Sequence, residues 1–245
     1  MSRLNAFIES EREQYATYDN NIFAVALSQV VRYHEFLSII SARYQLASDE
    51  LRLSIQAFQD SLSPSGGTLS EAQLIHLREQ SLIRARVHLD IEAFYVFAKI
   101  LLDRVALVIE RYFGSARGLR LLSHSRLAKS FCAYAGLKQL SVPSGLPARI
   151  ALLEQRIGDY RDKQISHHHN LRTFHGTTFG PEGGMRILSS PLYPKADDRH
   201  ENSEDLATLF RELDEYVDAI IAFVTDNRLR SALVLKQSTN DAKAG

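Results

Sequence analysis

Ile91-Glu92-Ala93-Phe94-Tyr95-Val96-Phe97-Ala98-Lys99-Ile100-Leu101-Leu102-Asp103-Arg104-Val105-Ala106-Leu107-Val108-Ile109 is the stretch on which the fold turns. It is the most hydrophobic run of the chain, yet Glu92, Lys99, Asp103 and Arg104 interrupt it. It therefore falls short of the roughly 18 uncharged residues that a membrane span requires. An apolar surface on nearly all sides marks a helix buried in protein. The same helical pattern starts at Ser70, beside the acidic Glu71, and reaches Tyr112-Phe113, where Gly114 ends it. At about 1.5 Å per residue such a helix would exceed about 60 Å if unbroken. Its later part, from about Val87 to Phe113, is expected to be the central core helix. Glu92, Asp103 and Arg104 then need partners or a path to solvent.

Toward the N-terminus, Ser63-Pro64-Ser65-Gly66-Gly67 is a strong breaker. Before it, Leu4 to Leu62 reads as helical, with Phe23, Leu27, Val30, Val31, His34 and Leu37 at helical spacing. Ala47-Ser48-Asp49-Glu50 is a second turn signal, where Ser48 can cap a new helix. Toward the C-terminus, Leu119 to Leu140 reads as a shorter, less regular helix. Val142-Pro143-Ser144-Gly145-Leu146-Pro147 breaks it, and Pro147 suits the first turn of a helix from about Ala148 to Leu171. A polar stretch follows, in which Phe174–Phe179 and Met185–Leu188 can pair around Pro181-Glu182-Gly183-Gly184. The last helix is expected from about Ser203 to Leu235, before a frayed end at Asp241–Gly245.

The expected fold is an all-α helical bundle of about five or six helices, with a long loop or small hairpin before the last helix. One domain is expected over 1–245: an N-terminal helical region (1–65), a core (70–172), the loop (176–202) and a C-terminal helix (203–237). Hydrophobic residues at 45% are sufficient for a substantial core, and a formal net charge of +0 names no partner. Cys132 is the only cysteine and sits in the apolar run Phe131-Cys132-Ala133-Tyr134. It is expected to be a small core residue, consistent with a reducing cytoplasm. Glu9, Glu11, Arg12 and Glu13 interrupt any signal-peptide pattern at the N-terminus. No membrane association is expected.

Tyr160-Arg161-Asp162-Lys163-Gln164-Ile165-Ser166-His167-His168-His169 carries the chemistry. A guanidinium holds phosphate as a planar fork of donors, and an imidazole moves a proton near neutral pH. At about 100° per residue, Ile150, Leu153, Ile157, Tyr160, Gln164, His167 and Leu171 form one stripe facing the core. His168 falls within about 20° of Arg161 on the flank of that stripe, whereas Asp162 points away. His168 is thus the better partner for Arg161, and His167 reads as structural. Neither HExxH nor Cys-His spacing is present, and adjacent histidines on a helix diverge too far to chelate together. No metal or other cofactor is expected.

This stretch resembles the signature of the HEPN (higher eukaryotes and prokaryotes nucleotide-binding) superfamily. That signature is an Arg, a polar residue, and a His about four to six residues beyond the Arg. Arg161, Asp162, and His167 or His168 match it, mainly within Leu82–Asn170 plus the last helix. The resemblance implies an α-helical bundle and, in many members, a metal-independent endoribonuclease whose composite cleft joins two protomers. It also implies that the ribose 2′-hydroxyl attacks the adjacent phosphate and leaves a 2′,3′-cyclic end. Arg161 would stabilise the phosphorane charge, His168 or His167 would move the proton, and Asp162 would orient its neighbours or contact the partner. Other members are inactive binding or assembly modules. The Tyr that some members carry two residues after the His is absent here, where His169 and Asn170 stand.

Charge is uneven along the chain. From Arg111 to Arg172 there are eleven Lys and Arg against three acidic residues. Lys163, Arg156, Arg172 and His175 are the candidate RNA contacts, with a homodimer or a protein partner as further expectations. The final helix reverses the sign at Glu201, Glu204, Asp205, Glu212, Asp214, Glu215 and Asp218. Basic and acidic helices packed side by side would instead neutralise one another. A non-catalytic helical interaction module is therefore the competing reading. Ser123-His124-Ser125 lacks the strand-to-helix context of a nucleophile elbow and is assigned no chemistry.

Overall fold

Six α-helices are built from the described residues: α1 (Ser2–Gln14), α2 (Ile22–Asp60), α3 (Glu71–Phe113), α4 (His124–Lys138), α5 (Leu146–Leu153) and α6 (Leu206–Asp226). The structure, a computed structural model, describes residues 2–14, 22–62, 68–158, 160, 173–179, 185–191, 202–204 and 206–233. The all-α bundle expected from the sequence is the architecture observed. A small antiparallel sheet is added before α6, with β1 (Thr173–Phe179), β2 (Met185–Pro191) and β3 (Asn202–Glu204) in the order β1-β2-β3. The expected hairpin is there, with Phe179 opposite Met185 and Phe174 opposite Ser190. The third strand, which pairs Ile187 with Glu204, was not legible as one.

The long helix is unbroken from Glu71 to Phe113. It opens on a capping box: Ser70 N–H donates to Gln73 Oε1 at 2.8 Å, and Gln73 N–H donates to Ser70 Oγ at 3.3 Å. Gln73 Nε2 also donates to the Ser61 carbonyl at 2.8 Å, just past the end of α2. Gly114, at φ +75°, ends α3 in the left-handed region, and a Cβ there would meet Ala232 Cβ at 3.2 Å.

Several boundaries differ from expectation. No break occurs at Ser48, which is buried within the continuous α2. Its helical spacing to Tyr44 and Leu51 keeps that face packed, and this outweighs a local capping signal. α4 begins only at His124, because Arg117 (φ 37°) and Gly118 (φ 83°) form a left-handed turn closed by the Ala116–Leu119 bridge. Ser123 is its N-cap, accepting from Arg126 N–H at 3.3 Å. α6 starts at Leu206 and stops at Asp226, well before Leu235. There Asn227 turns inward, donating to the Ser141 and Phe223 carbonyls at 2.9 and 2.8 Å and accepting from Ser141 N–H at 2.7 Å. Cys132 is exposed and not in the core. Phe131 and Tyr134 take the buried face of α4, so Cys132 and Ala133 point away from it.

The chain divides into two units: Met1–Glu35 with Ala98–Asp159 and Glu212–Gly245, and Phe36–Phe97 with Tyr160–Arg211. The first has an aromatic core in which Phe223 meets Phe113 and Phe131 edge-on at 5.8 and 5.3 Å. Tyr112 meets Phe23 at 5.2 Å in the same unit. In the second, α2 and α3 run antiparallel, touching through Phe36–Phe97, Arg43–Asp90, Glu50–Arg86 and Ser54–His76. Among the described residues, no helix is long and apolar enough to cross a membrane.

Candidate functional site

The first unit holds a largely buried chain of polar groups that the sequence did not reveal. Lys99 and Asp103 lie one turn apart on α3, so their side chains share a face. Lys99 Nζ donates to both carboxylate oxygens of Glu154, at 2.9 and 2.8 Å, with Asp103 farther off at 3.5 Å. His124 Nδ1–H donates to Glu154 Oε2 at 2.8 Å, and Tyr216 O–H donates to His124 Nε2 at 2.9 Å. These two donors fix the imidazole in its neutral Nδ1–H form. The His124 backbone N–H donates to Asp103 Oδ1 at 2.8 Å, setting a carboxylate at the N-terminus of α4. Residues from α3 and α4 thus meet at the Glu154 carboxylate in the turn after α5, and Tyr216 of α6 joins them through His124.

Burial sets the protonation of this chain. It pushes the His124 imidazole below its ordinary 6.5, and it outweighs the hydrogen bond and charge of Glu154, which act upward. Burial acts upward on Glu154, but the hydrogen bonds from His124 and Lys99 and the Lys99 charge prevail and hold it below the usual carboxylate value. Burial, with the Glu154 charge second, raises the Tyr216 phenol well above 10.0. The result is an ion pair of Lys99 with Glu154 beside a neutral imidazole and a neutral phenol. His124 and Tyr216 are completely buried, so no substrate reaches them; the chain of groups acts as a junction between helices.

Glu154 opens a π-helical turn, Glu154–Gly158, where an uninterrupted α-helix was expected. The wider turn buries both Ile157 and Gly158. A Cβ on Gly158 would stand 3.1 Å from Glu154 Oε1, so a larger residue there would push the carboxylate by a few tenths of an ångström. Helix phase counted from Ile150 and Leu153 therefore does not carry unchanged past this turn, since a π-bulge accommodates one extra residue, worth about 100°.

Of the residues selected from the sequence, Arg161, Asp162, Lys163, His167, His168 and Arg172 lie outside the described residues. His175 is on β1, opposite Ser189. Tyr160 is described: its ring stacks on Tyr95 with centroids 3.7 Å apart and planes at 15°. Tyr95 is buried, so the residue before Arg161 is held against the core of its unit. Arg156, on the π-turn, is ion-paired with Glu212 of α6. Arg149 reaches Glu215 at 3.6 Å, and Arg120 reaches the buried Glu110 at 2.6 Å. Part of the basic stripe is thus neutralised by its neighbours. Arg117, Arg126 and Lys129 remain exposed and form no ion pair among the described residues.

His124 is the residue that sequence reasoning missed. Its spacing to Leu127, Phe131 and Tyr134 puts it on the buried face of α4, a periodic signal that was available. Lys99 in an apolar helix also called for an acidic partner, although nothing local names Glu154. Among the described residues, no three His, Cys, Asp or Glu side chains converge as a metal site would need. No family model, curated protein or solved structure matches the chain.

Proposed function

We propose that this chain is a HEPN-like RNA-binding protein that cleaves RNA without a metal, through Arg161 and an imidazole at His168 or His167. The observation that supports the reading is the helical bundle itself, in which Tyr160, the residue before Arg161, stacks on the buried Tyr95. A guanidinium held near a phosphate stabilises charge on the phosphorane; a neutral imidazole accepts the 2′-hydroxyl proton as the 2′-oxygen bonds to phosphorus, and the imidazolium so formed returns it to the 5′-oxygen as the P–O5′ bond breaks. The products are a 2′,3′-cyclic phosphate and a 5′-hydroxyl. Arg117, Arg126 and Lys129, which form no ion pair among the described residues, supply backbone attraction, and a second copy of the chain completes the composite cleft. The test is incubation of purified protein with RNA in excess EDTA. Cleavage is expected, and it is expected to disappear in Arg161→Ala and His168→Ala. Cleavage that survives both substitutions, or that requires added metal, refutes the reading.

The second reading is a non-catalytic interaction module. The pairing of Arg149 and Arg156 with Glu215 and Glu212 favours it, because it withdraws those cations from RNA. RNA binding without cleavage in the same assay supports this alternative.

A further inference from the structure

The α2–α3 pair carries two rows of exposed aliphatic side chains at seven-residue spacing. Ile39, Leu46 and Leu53 form the row on α2, and Ile75, Leu82 and Leu89 the row on α3; all six are between 48% and 72% exposed. Seven residues bring a helix to within about 20° of two full turns, so each row is a straight seam. The side chains that touch across the pair, among them Phe36, Arg43 and Glu50 on α2 and Phe97, Asp90 and Arg86 on α3, define the line between the helices. Each seam lies roughly 60° round from that line, and the buried residues lie round the other way, Leu37, Tyr44 and Leu51 by roughly 100° on α2 and Val87 and Phe94 by roughly 70° on α3. The helices are antiparallel, so an equal rotation in the same sense puts both seams on one side of the pair, opposite its buried side. That is the open face of half a four-helix bundle.

We infer that this face is the docking surface for a second copy of the same chain. Two observations select that occupant. The first is spacing. In the register set by the cross-pair contacts, Leu46 is level with Val87, between Leu82 and Leu89, and Leu53 is level with Gln80, between Ile75 and Leu82. A two-fold axis parallel to the helices lays α2 of one copy antiparallel over α3 of the other at the same level, so the two seams interdigitate. Charge does not distinguish occupants, because Glu50 and Arg86, which flank the two seams, already pair with each other at 3.4 Å, and Arg43 pairs with Asp90 at 3.0 Å. The second is area. At the roughly 100 Å² per aliphatic side chain implied by its burial energy, six such side chains expose roughly 350 Å². That is most of the apolar share of the roughly 800 Å² that each partner contributes to a standard interface.

The face lies away from buried Tyr95, against which the residue before Arg161 stacks, so the inference is independent of the composite cleft of the proposed function and is tested without RNA. Sedimentation equilibrium of the full chain is expected to show a monomer–dimer equilibrium. Leu46→Glu and Leu82→Glu should each weaken association at least tenfold while leaving the circular dichroism spectrum unchanged, because both side chains are exposed. In a Cys132→Ser background, a mixture of the Leu46→Cys and Leu82→Cys chains should oxidise to a mixed disulfide dimer in preference to either self-pair. A monomer at every concentration, a dimer indifferent to both Glu substitutions, or predominant Leu46→Cys self-pairing overturns the inference. So does a monomeric chain that uses these leucines only to bind lipid vesicles. Loss of EDTA-resistant RNA cleavage in Arg161→Ala with the dimer intact separates failure of one reading from failure of the other.

Discussion

Replacing Glu154 by Gln should be among the most damaging isosteric changes in this protein. The substitution keeps the shape of the side chain and an acceptor for the His124 N–H, but it removes the negative charge that Lys99 meets at 2.8 and 2.9 Å. The Lys99 side chain is only 6% exposed, so its ammonium cannot turn to water for compensation. Breaking a buried ion pair by removing one partner costs about 3–5 kcal/mol. Asp103, at 3.5 Å and more exposed, retains part of the attraction, which places the expected loss near the lower end, at about 3 kcal/mol. For a chain of this size that corresponds to a drop of roughly 6–12 °C in Tm. Urea unfolding followed by far-ultraviolet circular dichroism measures the loss directly. The double variant Lys99→Met with Glu154→Gln removes the stranded charge and should recover most of it. A loss below about 1 kcal/mol, or a double variant no better than the single one, would show that the pair is not the electrostatic anchor described here.

Two further outcomes follow from the same geometry. Folding depresses the His124 pKa below 6.5, so the unfolded chain takes up that proton first; stability is full above about pH 6.5 and declines as pH falls through the interval down to the folded value. Glu154, also depressed, adds a second decline below its ordinary 4.5. The slope of unfolding free energy against pH between about 7 and 5 should fall by up to one proton in His124→Gln, and an unchanged slope contradicts the assignment. Asn227→Ala strips three hydrogen bonds from Ser141 and the Phe223 carbonyl and should cost about 2–3 kcal/mol in the same urea titration. A value within experimental error of wild type would mean that the end of α6 is held by something else.

Helices were legible where the pattern is long and the punctuation strong. The span Glu71–Phe113 needed only an apolar surface, a capping serine and a terminal glycine, all local signals. Boundaries set by tertiary contacts were not legible. Ser48 looks like a cap but is held inside α2 by the packing of Tyr44 and Leu51, and α6 ends where Asn227 finds Ser141, a partner 86 residues away. The same distinction separates the two polar sites. The Arg-His segment is contiguous in sequence and so could be proposed from it, but it lies outside the described residues. The junction of Lys99, His124, Glu154 and Tyr216 is assembled from four separate segments, and only the buried phase of His124 and the misplaced charge of Lys99 hinted at it. The π-turn at Glu154 has no local signal in the sequence, and the carboxylate that opens it is bonded by groups on other helices.

The bond from Gln73 to the Ser61 carbonyl has a practical corollary. Together with the Ser70 cap, it clasps the foot of the hairpin from the helix side, so the connecting segment is relieved of that duty. Loop closure grows only as the logarithm of length, at roughly 0.6 kcal/mol per doubling. Chain opened between residues 62 and 68, or lengthened there by a reporter peptide, should leave both rods in register, which makes this corner the natural place to put a tag or new termini.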